Sequence, residues 1–532
     1  MKTKASILVL SVFASSLIQA QDYYPFKPLP TQEIVSKIKY LAEDEAPLAN
    51  LFEIHKRGLS QANTANAPWS GPYWPLKQGM IANAYMERSI FSLLNFVPGL
   101  DDIKPYDSRR DDILLNIMRF SNKDLSKLAP SEKYDLLLGT NMDLSNRVWD
   151  FINHWKHDMK WDYITSIDMP SEEYKIKKEN YIIANWEGIC HGWAPASGIV
   201  AKPSKTVNIT LPDGRILPFF PEDIKGLVSL MWANSLVQDE VLSEGLRCKR
   251  RNPKKDQYGR YYDTIEENGK VLPRCADIHP AVLHMTLANV TGKQGRSFIV
   301  DKASTIAVSN QPVAGYKFNY FHPRNGETKN FNEALVNYEL YKKDDPFANA
   351  RNPETKYVIG VETILSYADW TMIKKPSSKD YNKDVYKNTT FNYDLELDAN
   401  GNIIGGQWRT MRDPYDALTN PLEEKNPNYS NSTNQPDFLW IIPKNYKKHF
   451  KPISGLENWD ITSGQPAPKS WTNAAISAHS FEYLAAKKFN RAETCKIENK
   501  STGEVIETLC EFKYPKPQPL IQVVDQLVEL SK

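Results

Sequence analysis

The chain has no large excess of charge, no long apolar run and no repeat, and each absence closes off a class of function. Its 532 residues carry 66 Lys and Arg against 64 Asp and Glu, a formal net charge of +2. That balance gives no electrostatic footprint for a nucleic acid or an acidic membrane, and no nucleic-acid partner is expected. Beyond the first twenty residues no stretch reaches the roughly 18 uninterrupted apolar residues of a bilayer-crossing helix, so no membrane span is expected. There is no internal repeat and no low-complexity tract. Cysteine is scarce: five residues, an odd number. The 35 prolines, 27 tyrosines and mean hydropathy of −0.52 point to a loop-rich polar surface around a packed interior. A chain this long suggests two to four domains, or one core with large insertions.

The N-terminus reads as a sorting signal. Lys2 and Lys4 precede an apolar run from Ile7 to Ile18, and Ala20 suits cleavage before Gln21. Residues 1–20 are therefore expected to direct the protein to a secreted, periplasmic or extracellular location. In an oxidising compartment, sequence-near cysteines are the economical pairs: Cys248 with Cys275, and Cys495 with Cys510. Each closure would stabilise by about 3 kcal/mol if unstrained. Cys190 is left over, and a lone thiol in an exported protein calls for a reason.

Its neighbourhood supplies one. In Asn185-Trp-Glu-Gly-Ile-Cys190-His191-Gly-Trp193-Ala-Pro195-Ala-Ser197, Gly188 frees the backbone just before the cysteine and Pro195 suits a helix's first turn. A cysteine at a helix start faces unpaired N–H groups and the positive end of the dipole, which favours thiolate. The competing reading is a structural cysteine beside two core tryptophans.

Elsewhere, helical spacing predicts helices over Thr31–Gly58 and Ala82–Phe96, with shorter ones at Leu114–Phe120, Lys133–Leu138 and Val148–Trp155. Trp69-Ser-Gly-Pro-Tyr-Trp-Pro75 reads as a rigid aromatic loop packed over a core. The turn Pro212-Asp-Gly214 predicts a hairpin, followed by a helix from Pro221 to Leu236. Beyond a linker or long loop at Asn349–Pro353 the pattern turns to strands: Lys356–Ser366, then a hairpin of Thr389–Leu397 with Ile403–Trp408. Ile521–Leu530 reads as a short helix.

A cysteine nucleophile needs a base and a group that orients it. Of nine histidines, His191 adjoins Cys190 and points elsewhere, and His279 precedes a proline. His284 is preferred: it follows an apolar run, and 17 residues separate it from Asp301, which suits a histidine and a carboxylate on neighbouring strands. Asn310 is an alternative orienting group. A satisfied core histidine remains the competing reading for His284.

Taken together, Trp186-Glu-Gly-Ile-Cys190-His-Gly-Trp-Ala-Pro-Ala196, Pro221-Glu-Asp-Ile-Lys225, His284-Met-Thr-Leu-Ala-Asn289 and Ser309-Asn-Gln-Pro-Val-Ala-Gly-Tyr316 resemble the secreted transglutaminase elicitor family. Supporting blocks include Gly405-Gly-Gln-Trp408 and Pro436-Asp-Phe-Leu-Trp440, so the similarity runs from Trp69 to Pro443. The resemblance implies an α+β fold: a papain- or transglutaminase-like cysteine core with a helical N-terminal region and a β-rich C-terminal region. The expected layout is a leader (1–20), helical region (21–130), catalytic core (131–348), β-rich region (349–460) and C-terminal extension (461–532). It further implies a protein-glutamine γ-glutamyltransferase with Cys190 as nucleophile, His284 and Asp301 completing the site, and protein substrates offering glutamine, lysine or small amines. No cofactor is required by that chemistry; calcium stays open, because calcium dependence occurs among transglutaminases. The family's elicitor activity lies in a short surface segment, matched here by Val308–Tyr316, with Ser309 where the family usually has tryptophan. A papain-like peptidase or amidase, and a non-catalytic recognition protein, are the alternatives.

Overall fold

One antiparallel sheet separates two hydrophobic cores, and that division decides which side chains can meet. The structure, a computed structural model, describes residues 29–86, 107–150, 152, 187–235, 241–245, 278–302, 308–409, 436–446, 456–478 and 519–532, with strand backbone at a few segments within 254–273 and 494–509. In chain order the principal strands are β1 Gln61–Asn63, β2 Val207–Thr210, β3 Ile216–Phe219, β4 Leu242–Gly245, β5 Ile299–Asp301, β6 Asn310–Phe321, β7 Tyr357–Ala368, β8 Tyr386–Leu397, β9 Ile403–Trp408 and β10 Phe438–Ile441. The principal helices are α1 Thr31–Ala42, α2 Pro130–Leu138, α3 Cys190–Ile199, α4 Pro221–Ser235, α5 Pro280–Thr286 and α6 Pro519–Leu530. The sheet runs β9-β8-β7-β6-β5-β10-β4, with β1 added to β6, while β2 and β3 form a separate hairpin. Helices and antiparallel strands in one chain make this an α+β fold.

Side chains alternate across a strand, so neighbours in sequence enter different cores. Ile299, Trp440 and Ile442 join the first core with α3, α4 and α6. Val300, Leu439, Ile441 and Val313 join the second core with α1 and α5. Strands on both sides of residue 349 belong to the same sheet. The linker or long loop expected there is an anchored one: Arg351 is buried and pairs with Asp345 and Asp394.

The hairpin predicted from Asp213-Gly214 is β2–β3, with Gly214 at φ 83°. The β8–β9 hairpin turns at residues 398–402. There Asn400 and Asn402 donate backbone N–H groups to Asp398 Oδ1, and the Asn402 amide donates to Oδ2, each at 2.8 Å. This is a side-chain-stitched turn. The helix predicted from residue 31 to 58 is split: α1 ends at Ala42, Glu43 turns at φ 47°, and Leu51–Lys56 forms a second short helix. Residues 82–86 end a 3₁₀ turn and continue as loop, in place of the helix predicted from Ala82; its remainder lies outside the described residues.

The leader, Trp186, and Cys248, Cys275 and Cys510 also lie outside the described residues. Cys495 is described only as backbone, in a hairpin of Thr494–Glu498 with Val505–Leu509. No helix among the described residues is long and apolar enough to cross a membrane.

Candidate active site

Cys190 is the first residue of α3, with Ile189 as the cap. Two glycines make that placement sterically feasible. A Cβ at Gly188 would lie 2.5 Å from the Tyr73 carbonyl oxygen, and one at Gly192 would lie 2.0 Å from the Ser229 carbonyl oxygen on α4. Ile189 donates its N–H to the Tyr73 carbonyl at 2.9 Å, and Leu76 donates to Glu187 at 2.9 Å. The Trp69–Pro75 loop thus pairs with the segment leading into the helix. Trp69 and Trp74 are buried beside α4, where Lys225 donates to the Ser70 carbonyl at 2.8 Å. The aromatic loop is a wedge that locates the start of α3. Because the helix begins at Cys190 itself, Pro195 falls in its second turn, where its ring forgoes one ladder bond.

The Cys190 thiol is in no disulfide and is half-buried. Its position at a helix N-terminus, where the first N–H groups have no intrahelical acceptor, favours the thiolate. Asn310 Nδ2 donates to Sγ at 3.4 Å, and Asn310 Oδ1 accepts from the Trp440 indole N–H at 2.9 Å. Asn310 and Trp440 are both buried. Tyr73 stands nearby with its ring edge-on to the half-exposed Trp370, centroids 5.0 Å apart. Burial, and then the charge of the Cys190 sulfur, push the Tyr73 phenol above its ordinary pKa.

Asp301 lies directly across from Asn310 in the β5–β6 register, so the two side chains share the face that carries Cys190. The Asp301 carboxylate is fully buried and accepts the Ser309 backbone N–H at 3.2 Å. Cys190, Asn310, Asp301 and Trp440 thus converge on one face.

His284 is elsewhere. It sits on helix α5, where a strand was predicted, and faces the second core. Pro280 at the first position and the His279 side chain capping Ala281 at 3.2 Å start that helix. The His284 ring stacks on Phe318 at 3.9 Å, and its Nδ1 pairs with the Tyr393 hydroxyl at 2.9 Å. Phe318 is eight positions along β6 from Asn310, a span of about 25 Å, and projects from the opposite face. Burial lowers the His284 pKa to about 3, so the ring is neutral. His279 lies on the same far side; burial, with Lys37 nearby, lowers its pKa to about 3 as well. The structure therefore does not bring the predicted base to Cys190, because the sheet intervenes; His284 is a buried histidine bonded through Nδ1 alone, with no partner for Nε2 among the described residues.

Val308–Tyr316 also departs from expectation. Val308 and Ser309 are half-buried and Asn310 through Tyr316 are buried as the start of β6. The segment matched to the family's surface elicitor motif is an interior strand that supplies Asn310 to the thiol. Trp440, cited only as part of a supporting motif, was missed as a site residue; alternation along β10 from the core positions Leu439 and Ile441 is the signal that could have placed it. Among the described residues no group of three or more His, Cys, Asp or Glu side chains could hold a metal ion.

A family model for transglutaminase elicitors matches residues 168–421, which contain Cys190, Asp301 and Asn310. Over that span the chain is similar to the transglutaminase elicitor family. Among solved structures, the GP42 transglutaminase from Phytophthora sojae is similar at 20% identity, with a TM-score of 0.47, covering 86% of this chain and 100% of that one. No curated protein matches. Among the described residues, the Asn310 amide donates to the Cys190 thiol, and Tyr73 lies close enough to feel its charge.

Proposed function

We propose that the protein is a protein-glutamine γ-glutamyltransferase that acts outside the cell through a thioester on Cys190. The observation that carries this reading is a half-buried cysteine, in no disulfide, at the first position of helix α3, with a buried amide donor on its sulfur. Helix-terminal N–H groups and that donor favour the thiolate, the form that attacks carbonyl carbon. The match of the surrounding residues to the transglutaminase elicitor family supports the substrate class.

The Cys190 thiolate adds to the γ-carboxamide carbon of a peptide glutamine, and the charge moves to the amide oxygen. The intermediate collapses with loss of ammonia, which takes its extra proton from water at the half-exposed thiol. A neutral lysine ε-amine or small amine then attacks the thioester; the carbon–sulfur bond breaks, the proton lost by the amine goes to the hydroxide left by the first step, and the new amide bond forms as the thiolate is restored. Asp301 enters as a positioning residue: by accepting from Ser309 it holds the strand start from which Asn310 projects. His284 has no part in this reading, and no cofactor is needed for it.

The test compares the full-length protein with Cys190→Ala for incorporation of a fluorescent amine into casein, with ammonia release followed in parallel. Labelling by the parent alone is the expected result. A variant that labels as well as the parent would sink the proposal, and ammonia release without labelling would point to an amidase.

A further inference from the structure

We infer that Asn310 is a catalytic donor to the reacting centre and that Trp440 is the residue that aims it. The inference rests on the thioester reading for its second half, the step in which charge reaches the substrate oxygen. Its first half, the donor to sulfur, rests on geometry alone.

An asparagine amide can face either way, and its oxygen and nitrogen are told apart by their partners. Here the partner is decisive. An indole N–H only donates, so the Asn310 atom 2.9 Å from Trp440 Nε1 has to be the oxygen. The amide nitrogen is then turned to Cys190, 3.4 Å from Sγ. Trp440 is buried, its β10 strand pairs with β5, and β5 pairs with the start of β6. Donor, aiming residue and the carboxylate of Asp301 are held by three adjacent strands of one sheet. An amide flip would set the Asn310 NH₂ against the indole N–H, two donors facing each other, and would leave the oxygen against the sulfur.

The chemistry follows from where the charge goes. In the free enzyme the N–H donor stabilises the thiolate. On attack a carbon–sulfur bond forms, the carbonyl π pair moves to oxygen, and that oxygen lies within about 3 Å of the sulfur it has just neutralised. A donor already on the sulfur is in reach of the oxyanion without rearrangement. When ammonia departs the pair returns to re-form the carbonyl, and the same donor serves again during aminolysis. Asn310 thus follows the negative charge through both half-reactions, together with the N–H groups at the start of α3.

The decisive variant is Asn310→Asp. It is nearly isosteric and still accepts from the Trp440 indole, so the local packing is kept, but an acceptor replaces the donor at the sulfur. Trp440→Phe removes only the aiming bond. Far-ultraviolet circular dichroism and thermal unfolding establish that each variant folds. The thiol pKa is read from the pH dependence of thiolate absorbance and of iodoacetamide alkylation, and kcat and KM from amine incorporation. The expected result for Asn310→Asp is a Cys190 pKa raised by a unit or more and kcat lowered about 10²–10³-fold with KM little changed, the size of losing one oxyanion donor. Trp440→Phe should shift both in the same direction by less. An unshifted thiol pKa and parental kcat in folded Asn310→Asp would overturn the inference while leaving the transferase reading intact. If the parent protein transfers no acyl group, the transferase reading fails alone: a thiol pKa that still rises in Asn310→Asp upholds the donor to sulfur. Should Asn310→Asp not fold, Trp440→Phe decides, and parental values there would overturn the aiming role.

Discussion

The Cα of Gly192 lies so close to the Ser229 carbonyl that a Cβ there would come within 2.0 Å of the oxygen. This contact sets the spacing of α3 against α4, and α3 carries the thiol at its head. The oxygen belongs to helix backbone and cannot step aside, so Gly192→Ala has to push the helices apart. Overpacking of this kind costs about 1–3 kcal/mol. The expected outcome is a lower urea midpoint together with loss of the Asn310 donor at Cys190, seen as slower alkylation of the thiol near neutral pH. A variant with parental stability and parental alkylation would show that the helix spacing is not set here.

Cys190 and His284 lie on opposite faces of the sheet, which separates the fate of their variants. His284→Phe keeps the stack on Phe318 but leaves the Tyr393 hydroxyl with only its bond to Thr363, so stability should fall by about 1–3 kcal/mol. Amine incorporation per folded molecule should be unchanged, whereas a catalytic base would cost orders of magnitude. A pH signature comes with it. His284 and His279 have folded pKa values of about 3, below the ordinary 6.5. Below about pH 6.5 the unfolded chain binds protons that the folded chain refuses, so stability is full above that pH and falls toward pH 3. Each ring contributes up to about 1.4 kcal/mol per pH unit in that window. Urea titrations at pH 7.5 and 5.0 should show the fall, and His284→Phe should remove part of it.

Some of this was readable in advance and some was not, for physical reasons. Asp213-Gly214 and the turn before Ile403 identify their hairpins because local backbone chemistry alone sets a tight turn. The start of α3 at Cys190 is legible because Gly188 and Gly192 mark close backbone approaches. The element carrying His284 is not. Every residue of α5 is buried, so no polar face exposes a helical period, and the apolar run reads equally well as a strand. The side of the sheet on which a residue lies is illegible for a similar cause. Both faces of β5 and of the start of β6 are covered, so alternation of polar and apolar residues is absent where it would assign Asn310 to one core, and it returns only around Phe318. Trp440 could be found only once its strand was known to lie beside β5.

Arg351 holds the loop before β7 by a buried network. Its guanidinium bonds Asp345 at 2.8 and 2.9 Å and Asp394 Oδ2 at 2.8 Å, while Arg409 donates to the same Asp394 oxygen at 2.8 Å. Burial alone would raise the Asp394 carboxyl, but the two guanidinium groups outweigh it and hold its pKa below the usual carboxylate range. Arg351→Met would leave Asp345 and part of Asp394 uncompensated, an expected loss of about 3–5 kcal/mol. Arg351→Lys should recover little, since an ammonium cannot reproduce the two-sided fork. Guanidinium chloride unfolding of the two variants checks both statements; near-parental stability in Arg351→Met would mean that the carboxylates find other partners.

The burial of Val308–Tyr316 bears on recognition. In the folded protein Asn310–Tyr316 is an interior strand, paired with β5 and β7 over most of its length and with β1 at Gly315 and Tyr316. A receptor or antibody that reads these side chains in an extended peptide cannot reach them without opening the sheet. Antibodies raised against the synthetic peptide Val308–Tyr316 should therefore bind the urea-unfolded chain and fail to bind the native protein in solution, measured by competition at equilibrium. Proteolytic fragments that release the strand should compete as well as the peptide does. Strong competition by the native protein would show that this strand leaves the sheet readily, and then Asn310 could not be holding a fixed donor on Cys190.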